Sequence, residues 1–157
     1  MEKYNLNVFA DYFQFLVQDE HSSGDISELW TEQAVKDLIV IKNDVIGIGT
    51  VRNMTVPFTV EIIENWSNDY DTEKWDQIVE CSIDISSGKI VVIGGTDYFP
   101  AAPRIKVTPD KYRARIFYGN LDSISDDGLD GNDKYKIVLW RSSEDKGVVF
   151  IKKYHKE

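Results

Sequence analysis

Cysteine, histidine and proline are scarce in this chain of 157 residues, with one, two and four copies respectively. Cys81 has no second cysteine to pair with, so no intrachain disulfide is possible. His21 and His155 lie near opposite ends, with no Cys or His at zinc-ligand spacing. No apolar run approaches the roughly 18 residues of a membrane span. The longest comparable stretch is Leu38-Ile39-Val40-Ile41. The opening segment, Met1 to Asn7, has no apolar core and no small-residue cleavage site. These absences lead to the expectation of a cytoplasmic, bacterial-type protein. Basic residues are also outnumbered, 18 against 27 acids, for a formal charge of −9. That field repels phosphate backbones and anionic lipid, so neither nucleic acid nor membrane is expected as a partner.

Catalytic signatures are missing as well. There is no Gly-x-Ser-x-Gly elbow. Gly47-Ile48-Gly49 lacks a third glycine, and Gly94-Gly95 lacks a following Lys, so no phosphate loop is present. Cys81 alternates with Val79 and Ile83 and reads as a small buried hydrophobe. The expectation is a protein that is not an enzyme and has no cofactor.

What the chain does have is period-two patterning, the signal of strands. An aromatic-rich run fills Phe9 to Gln18. From Gln77 to Ile85, Val79, Cys81, Ile83 and Ile85 face one way and Ile78, Glu80, Ser82 and Asp84 the other. Tyr112, Ala114, Ile116 and Tyr118 alternate with Lys111, Arg113 and Arg115. Ser86-Ser87-Gly88 predicts a hairpin into Lys89 to Gly94. Pro57, within a strand from Met54 to Ile63, predicts an edge position or a bulge. Gly47 and Gly49 share a face of Val45 to Val51, which predicts close packing or a bulge. Only Trp30 to Leu38 reads as a helix, with Thr31 as its N-cap. The fold class is mainly β: an antiparallel β-sandwich or open barrel of about eight to ten strands with one short helix, a single domain over residues 1–157.

The acids cluster. Glu64, Asp69, Asp71, Glu73 and Asp76 interleave with Trp66, Tyr70 and Trp75. Carboxylates steer a basic partner and aromatic side chains anchor interfaces, so these eight are the candidate partner-binding residues. A second acidic stretch, Asp122 to Asp133, contains Asp126-Asp127-Gly128-Leu129-Asp130-Gly131. Read as a calcium loop it offers Asp126, Asp130 and Asp133 as metal ligands. The match to an EF-hand fails at loop position twelve, where Ile137 stands in place of a bidentate Glu. The other reading is a solvated loop between strands. The segment Gly94 to Arg104 holds Asp97, Tyr98 and Arg104, which can form a small-ligand platform or a rigid crossover.

The run Asp11-Tyr12-Phe13-Gln14-Phe15-Leu16-Val17, then Trp30-Thr31-Glu32-x-Ala34, then Arg52-Asn53 after a glycine-containing strand, resembles the ComJ competence nuclease-inhibitor family. Met54-Thr55-Val56-Pro57, Thr96-Asp97-Tyr98-Phe99-Pro100 and the Asp126 to Gly131 segment resemble a set of small acidic all-β bacterial proteins. The ComJ resemblance implies an all-β protein that binds and silences a nuclease, with no catalytic residues to carry over. The expected function is a non-catalytic acidic binding protein, an inhibitor or immunity-type factor for a basic protein. The alternative is a small-ligand or calcium-binding β module.

Overall fold

The alternation at 77–85 and 110–119 becomes the centre of a sheet. The computed structural model describes residues 2–67, 70–94 and 96–155. Its strands are β1 (Glu2–Phe9), β2 (Gln14–Asp19), β3 (Ile39–Lys42), β4 (Val45–Gly49), β5 (Thr55–Ile63), β6 (Gln77–Ile85), β7 (Lys89–Gly94), β8 (Arg104–Lys106), β9 (Asp110–Gly119), β10 (Lys134–Arg141) and β11 (Val149–Lys152). One short helix, α1, covers Glu32–Asp37. Six strands form one sheet in the order β1-β5-β10-β9-β6-β11, and five form a second, β3-β4-β2-β7-β8. The sheets stack face to face and do not close on one another, so the architecture is a sandwich and not a barrel.

The core is what the alternation predicts. Val79, Cys81, Ile83 and Ile85 of β6 and Tyr112, Ala114, Ile116 and Tyr118 of β9 are buried together. Phe15 of the opposite sheet meets Phe58 edge-on, with ring centroids 4.7 Å apart. Full burial of such side chains contributes about 1.5–3 kcal/mol each. Burial pushes the Cys81 thiol up to about 12, so it stays protonated and inert near neutrality.

The mainly β sandwich with one short helix is as expected, with eleven strands among the described residues, the short edge strands β1, β3 and β8 adding to those the pattern marks. Several local expectations are corrected. One pair, β5 with β10, is parallel. The run at 9–18 is not one strand: a turn at 11–13 separates β1 from β2. Residues 86–88 do not make a hairpin. β6 and β7 belong to different sheets, and Asp19 Oδ1 holds the turn by accepting from Ser87 N and Oγ. Pro57 lies on an interior strand, between β1 and β10. Pairing with β10 starts only at Phe58, so the missing N–H breaks no bond on that side.

Both outer faces are covered by connecting segments. Gly47 and Gly49 are needed for close packing: a Cβ at Gly47 would stand 2.5 Å from Ile26 Cδ1, and one at Gly49 2.9 Å from Leu38 Cα. The segment 26–38 thus lies on the five-stranded sheet, with Leu29, Trp30 and Ala34 packed around Ile26, Val40 and Val45. On the six-stranded sheet, β5 ends beside Trp140, whereas β6 starts beside Tyr118 at the opposite end. The described parts of this connection, 64–67 and 70–76, therefore lie over β10 and β9 as a strap.

Candidate functional site

Strand register places most of the candidate residues at one end of the sandwich. Gln77 pairs with Tyr118, Lys134 with Gly119, Tyr135 with Phe58 and Thr55 with Phe9. Gln14 pairs with Gly49, and Phe15 with Gly94, at the matching end of the second sheet. Two hydrogen bonds cross between the sheets at this end, Val51 N donating to Tyr135 Oη and Tyr118 Oη to Leu38 O, while Thr50 N donates to Phe13 O and extends the β2–β4 ladder. The turns at 10–13, 30–38, 50–54 and 96–98 and the loop 119–133 all emerge here.

The strap shows how its residues divide. Trp66 stacks on Tyr70 and packs on Trp140, while Tyr70 and Trp75 pack on Phe117. The sheet beneath is basic. Arg115 lies 4.0 Å from the Trp66 ring centroid, Lys136 4.6 Å from Tyr70 and Lys134 4.6 Å from Trp75. These rings are half-buried and spend their faces on the protein's own cations. Glu64, Asp71 and Glu73 remain exposed. Asp76 is tied down, accepting from Leu121 N at 2.7 Å. Asp69 lies outside the described residues.

The loop 119–133 also divides. Asp122, Asp126, Asp127 and Asp130 are exposed. Asp127 accepts from Ser125 Oγ and Leu129 N, and these bonds, the Ser125 hydroxyl first, hold its carboxyl below the usual range. Asp133 turns inward: its Oδ1 lies 2.8 Å from Arg52 Nε, and Oδ2 accepts from Tyr135 Oη at 2.7 Å. Burial, then the Asp133 charge, raises the Tyr135 hydroxyl far above its ordinary value, so it remains a donor. Asp133 is thereby separated in role from Asp126 and Asp130. Among the described residues no group of three His, Cys, Asp or Glu is placed to hold a metal ion.

Arg104 acts on its own loop. Its guanidinium donates to the carbonyls of Phe99, Pro100 and Ala102 and to Glu20 Oε2. The Arg104 hydrogen bond also holds the Glu20 carboxyl below its usual range. Asp97 accepts from Gly94 N, and Tyr98 projects into solvent. Asp97 and Arg104 therefore brace this loop from within, while Tyr98 stands apart from them in solvent.

The feature that residue patterns missed is a groove of about 1000 Å³ at the same end. Its walls include Tyr12, Phe13, Val35, Leu38 and Tyr154. In sequence, Tyr12 and Phe13 were indistinguishable from strand residues; only the break between β1 and β2 exposes them. Tyr154 joins the groove to the acidic loop, its hydroxyl donating to Asp122 Oδ1, and burial followed by Asp122 pushes that hydroxyl up to about 12. Thr31 Oγ1 accepts from Ala34 N and caps α1, which carries Val35. Thr31→Ala is expected to cost about 1 kcal/mol in a chemical denaturation curve; an unchanged midpoint would mean the cap is idle.

No family model matches the chain, and no curated protein matches it significantly. Two solved structures do resemble it. One is the crystal structure of ComJ, inhibitor of the DNA degrading activity of NucA, from Bacillus subtilis: TM-score 0.63, 14% identity, over 90% of this chain and 96% of that one. The other is the crocagin biosynthetic gene J product, with TM-score 0.58 and 18% identity over 90% and 97%. At these identities the likeness is one of fold: the chain distantly resembles ComJ in fold over most of its length.

Proposed function

We propose that this chain is a non-catalytic, cytosolic binding protein that docks an acidic face on a basic partner protein, such as a nuclease, and blocks it. The observation that carries this reading is the set of exposed carboxylates at one end of the sandwich: Asp71, Glu73, Asp122, Asp126, Asp127 and Asp130. They accompany a fold shared with a protein described as a nuclease inhibitor. Dense carboxylates present to a phosphate-binding cleft the charge it is built to receive, and they speed encounter. The half-buried strap rings support the reading differently from free anchors: they hold the strap, and so its exposed acids, in place over the sheet.

The test is inhibition of plasmid degradation by NucA and by a panel of other basic DNA-degrading nucleases. Stoichiometric loss of at least one activity is expected. Reversing Asp71, Glu73 and Asp126 together to Lys should slow association about tenfold at low salt and leave dissociation nearly unchanged. No inhibition across the panel with the protein in excess would overturn the reading.

A further inference from the structure

The turn between β1 and β2 is strained where it is most exposed. Tyr12 and Phe13 both have left-handed backbones, with φ of 57° and 61°. Consecutive aromatic residues rarely adopt this conformation, because Cβ crowds the carbonyl. Both side chains are nevertheless left in water, Tyr12 77% and Phe13 48% exposed. The strain is maintained from both sides. Asn53 Oδ1 accepts from Tyr12 N, and Thr50 N donates to Phe13 O. The 50–54 turn is in turn fastened through Arg52 to the buried Asp133. A conformation this costly, bracing apolar rings toward solvent, is characteristic of a binding surface and gains nothing for the core.

The surroundings match that role. Val35, 56% exposed, faces the same groove from α1, and Leu38 lines it with a left-handed backbone of φ 60°. Beside the groove, Tyr154 contacts Asp122, and Lys152 Nζ donates to Thr72 O next to Asp71. Lys153 in the groove wall is neutralised by Asp37 at 3.0 Å. The exposed acids of the two loops, Asp71, Glu73, Asp122, Asp126, Asp127 and Asp130, outnumber the exposed Lys36, Lys74, Lys152 and Lys153. An apolar centre with a charged border is the anatomy of a protein interface.

We propose that Tyr12, Phe13 and Val35 are the energetic centre of the partner interface, and that the groove receives apolar side chains from a partner face ringed by Lys and Arg. This rests on the reading of the chain as an inhibitor of a basic protein. It assigns the anchoring role to this turn and leaves the strap aromatics to intramolecular packing.

The experiment measures binding to whichever nuclease of the panel the wild type inhibits, using a Tyr12→Asn/Phe13→Asn double variant and Val35→Ser. Asparagine tolerates the left-handed region, so folding should not suffer. The expected result is a thermal midpoint equal to or above wild type together with affinity weakened about 30-fold or more, mostly through faster dissociation. Val149→Ser, which removes an exposed apolar group on β11, should bind as wild type. Wild-type affinity in the double variant would overturn the assignment and leave the inhibitor reading standing. No inhibition by the wild type would overturn both. A wild-type dimer that the double variant turns into a monomer would place a second copy in the groove and overturn the proposed occupant.

Discussion

Replacing Asp133 with alanine is expected to remove roughly 3–5 kcal/mol of stability, the cost of breaking a buried ion pair from one side. The Asp133 side chain is fully buried and that of Arg52 is 14% exposed. Without the carboxylate, the guanidinium keeps its charge in a poorly hydrated position and the Tyr135 hydroxyl loses its acceptor. For a chain of this size that loss lowers the thermal midpoint by roughly 6–20 °C. Asp133→Asn should cost less, since an amide oxygen can still accept from Tyr135. Arg52→Ala combined with Asp133→Ala should cost less than the sum of the two, because each single change strands the other's partner. A loss under about 1 kcal/mol in urea denaturation would show that the pair is already solvated in the native state. The consequence reaches the interface: Arg52 sits in the turn that holds Tyr12 by way of Asn53.

Glu80→Gln is expected to be the next most damaging change, by about 3 kcal/mol. Glu80 is the shared partner of two arginines, with Oε2 2.6 Å from Arg113 Nη2 and Oε1 2.7 Å from Arg115 Nη2. The Arg113 side chain is 1% exposed. It retains Ser82 Oγ and Lys146 O as acceptors, which places the loss at the lower end for a buried pair. The effect depends on pH in a definite direction. Burial raises the Glu80 carboxyl, but the hydrogen bonds from Arg113 and Arg115 outweigh it, and the net shift is below the ordinary 4.5. A depressed carboxyl stabilises the fold fully above its unfolded pKa, and that stabilisation is lost as pH falls through the folded value. The gap between wild type and Glu80→Gln should therefore be widest near neutrality and narrow below about pH 4.5. A gap that stays constant down to pH 2.5 would place the origin of the loss elsewhere than in ionisation.

Local reading succeeded where one face of an element met one environment. Thr31 caps the helix because its hydroxyl needs only Ala34 N, three residues away. The alternation in β6 and β9 was legible because one side of each strand meets the core. Their other sides were harder to read. Ile78 and Phe117 point outward and are still buried, because the strap covers them. The strap rings were legible as anchors but not as anchors to the protein's own sheet. Their partners, Phe117, Arg115, Lys134, Lys136 and Trp140, lie on β9 and β10, far along the chain. The same limit applies to 86–88. A Ser-Ser-Gly turn is compatible with a hairpin, and only the pairing of β6 with β9 and of β7 with β2 sends the two strands to different sheets.

The class of fold, the burial of Cys81 and the concentration of acids in two loops follow from the sequence alone, whereas at Gly47 it left close packing and a bulge both open. The former depend on residue type and short-range spacing alone. The tertiary structure decided which acids face solvent, which one is spent on Arg52, and that Tyr12, Phe13 and Val35 share one groove. Those outcomes depend on register between strands distant in sequence. A strand pattern states which side of a residue is apolar, and it carries no information about what lies across the sheet or over it.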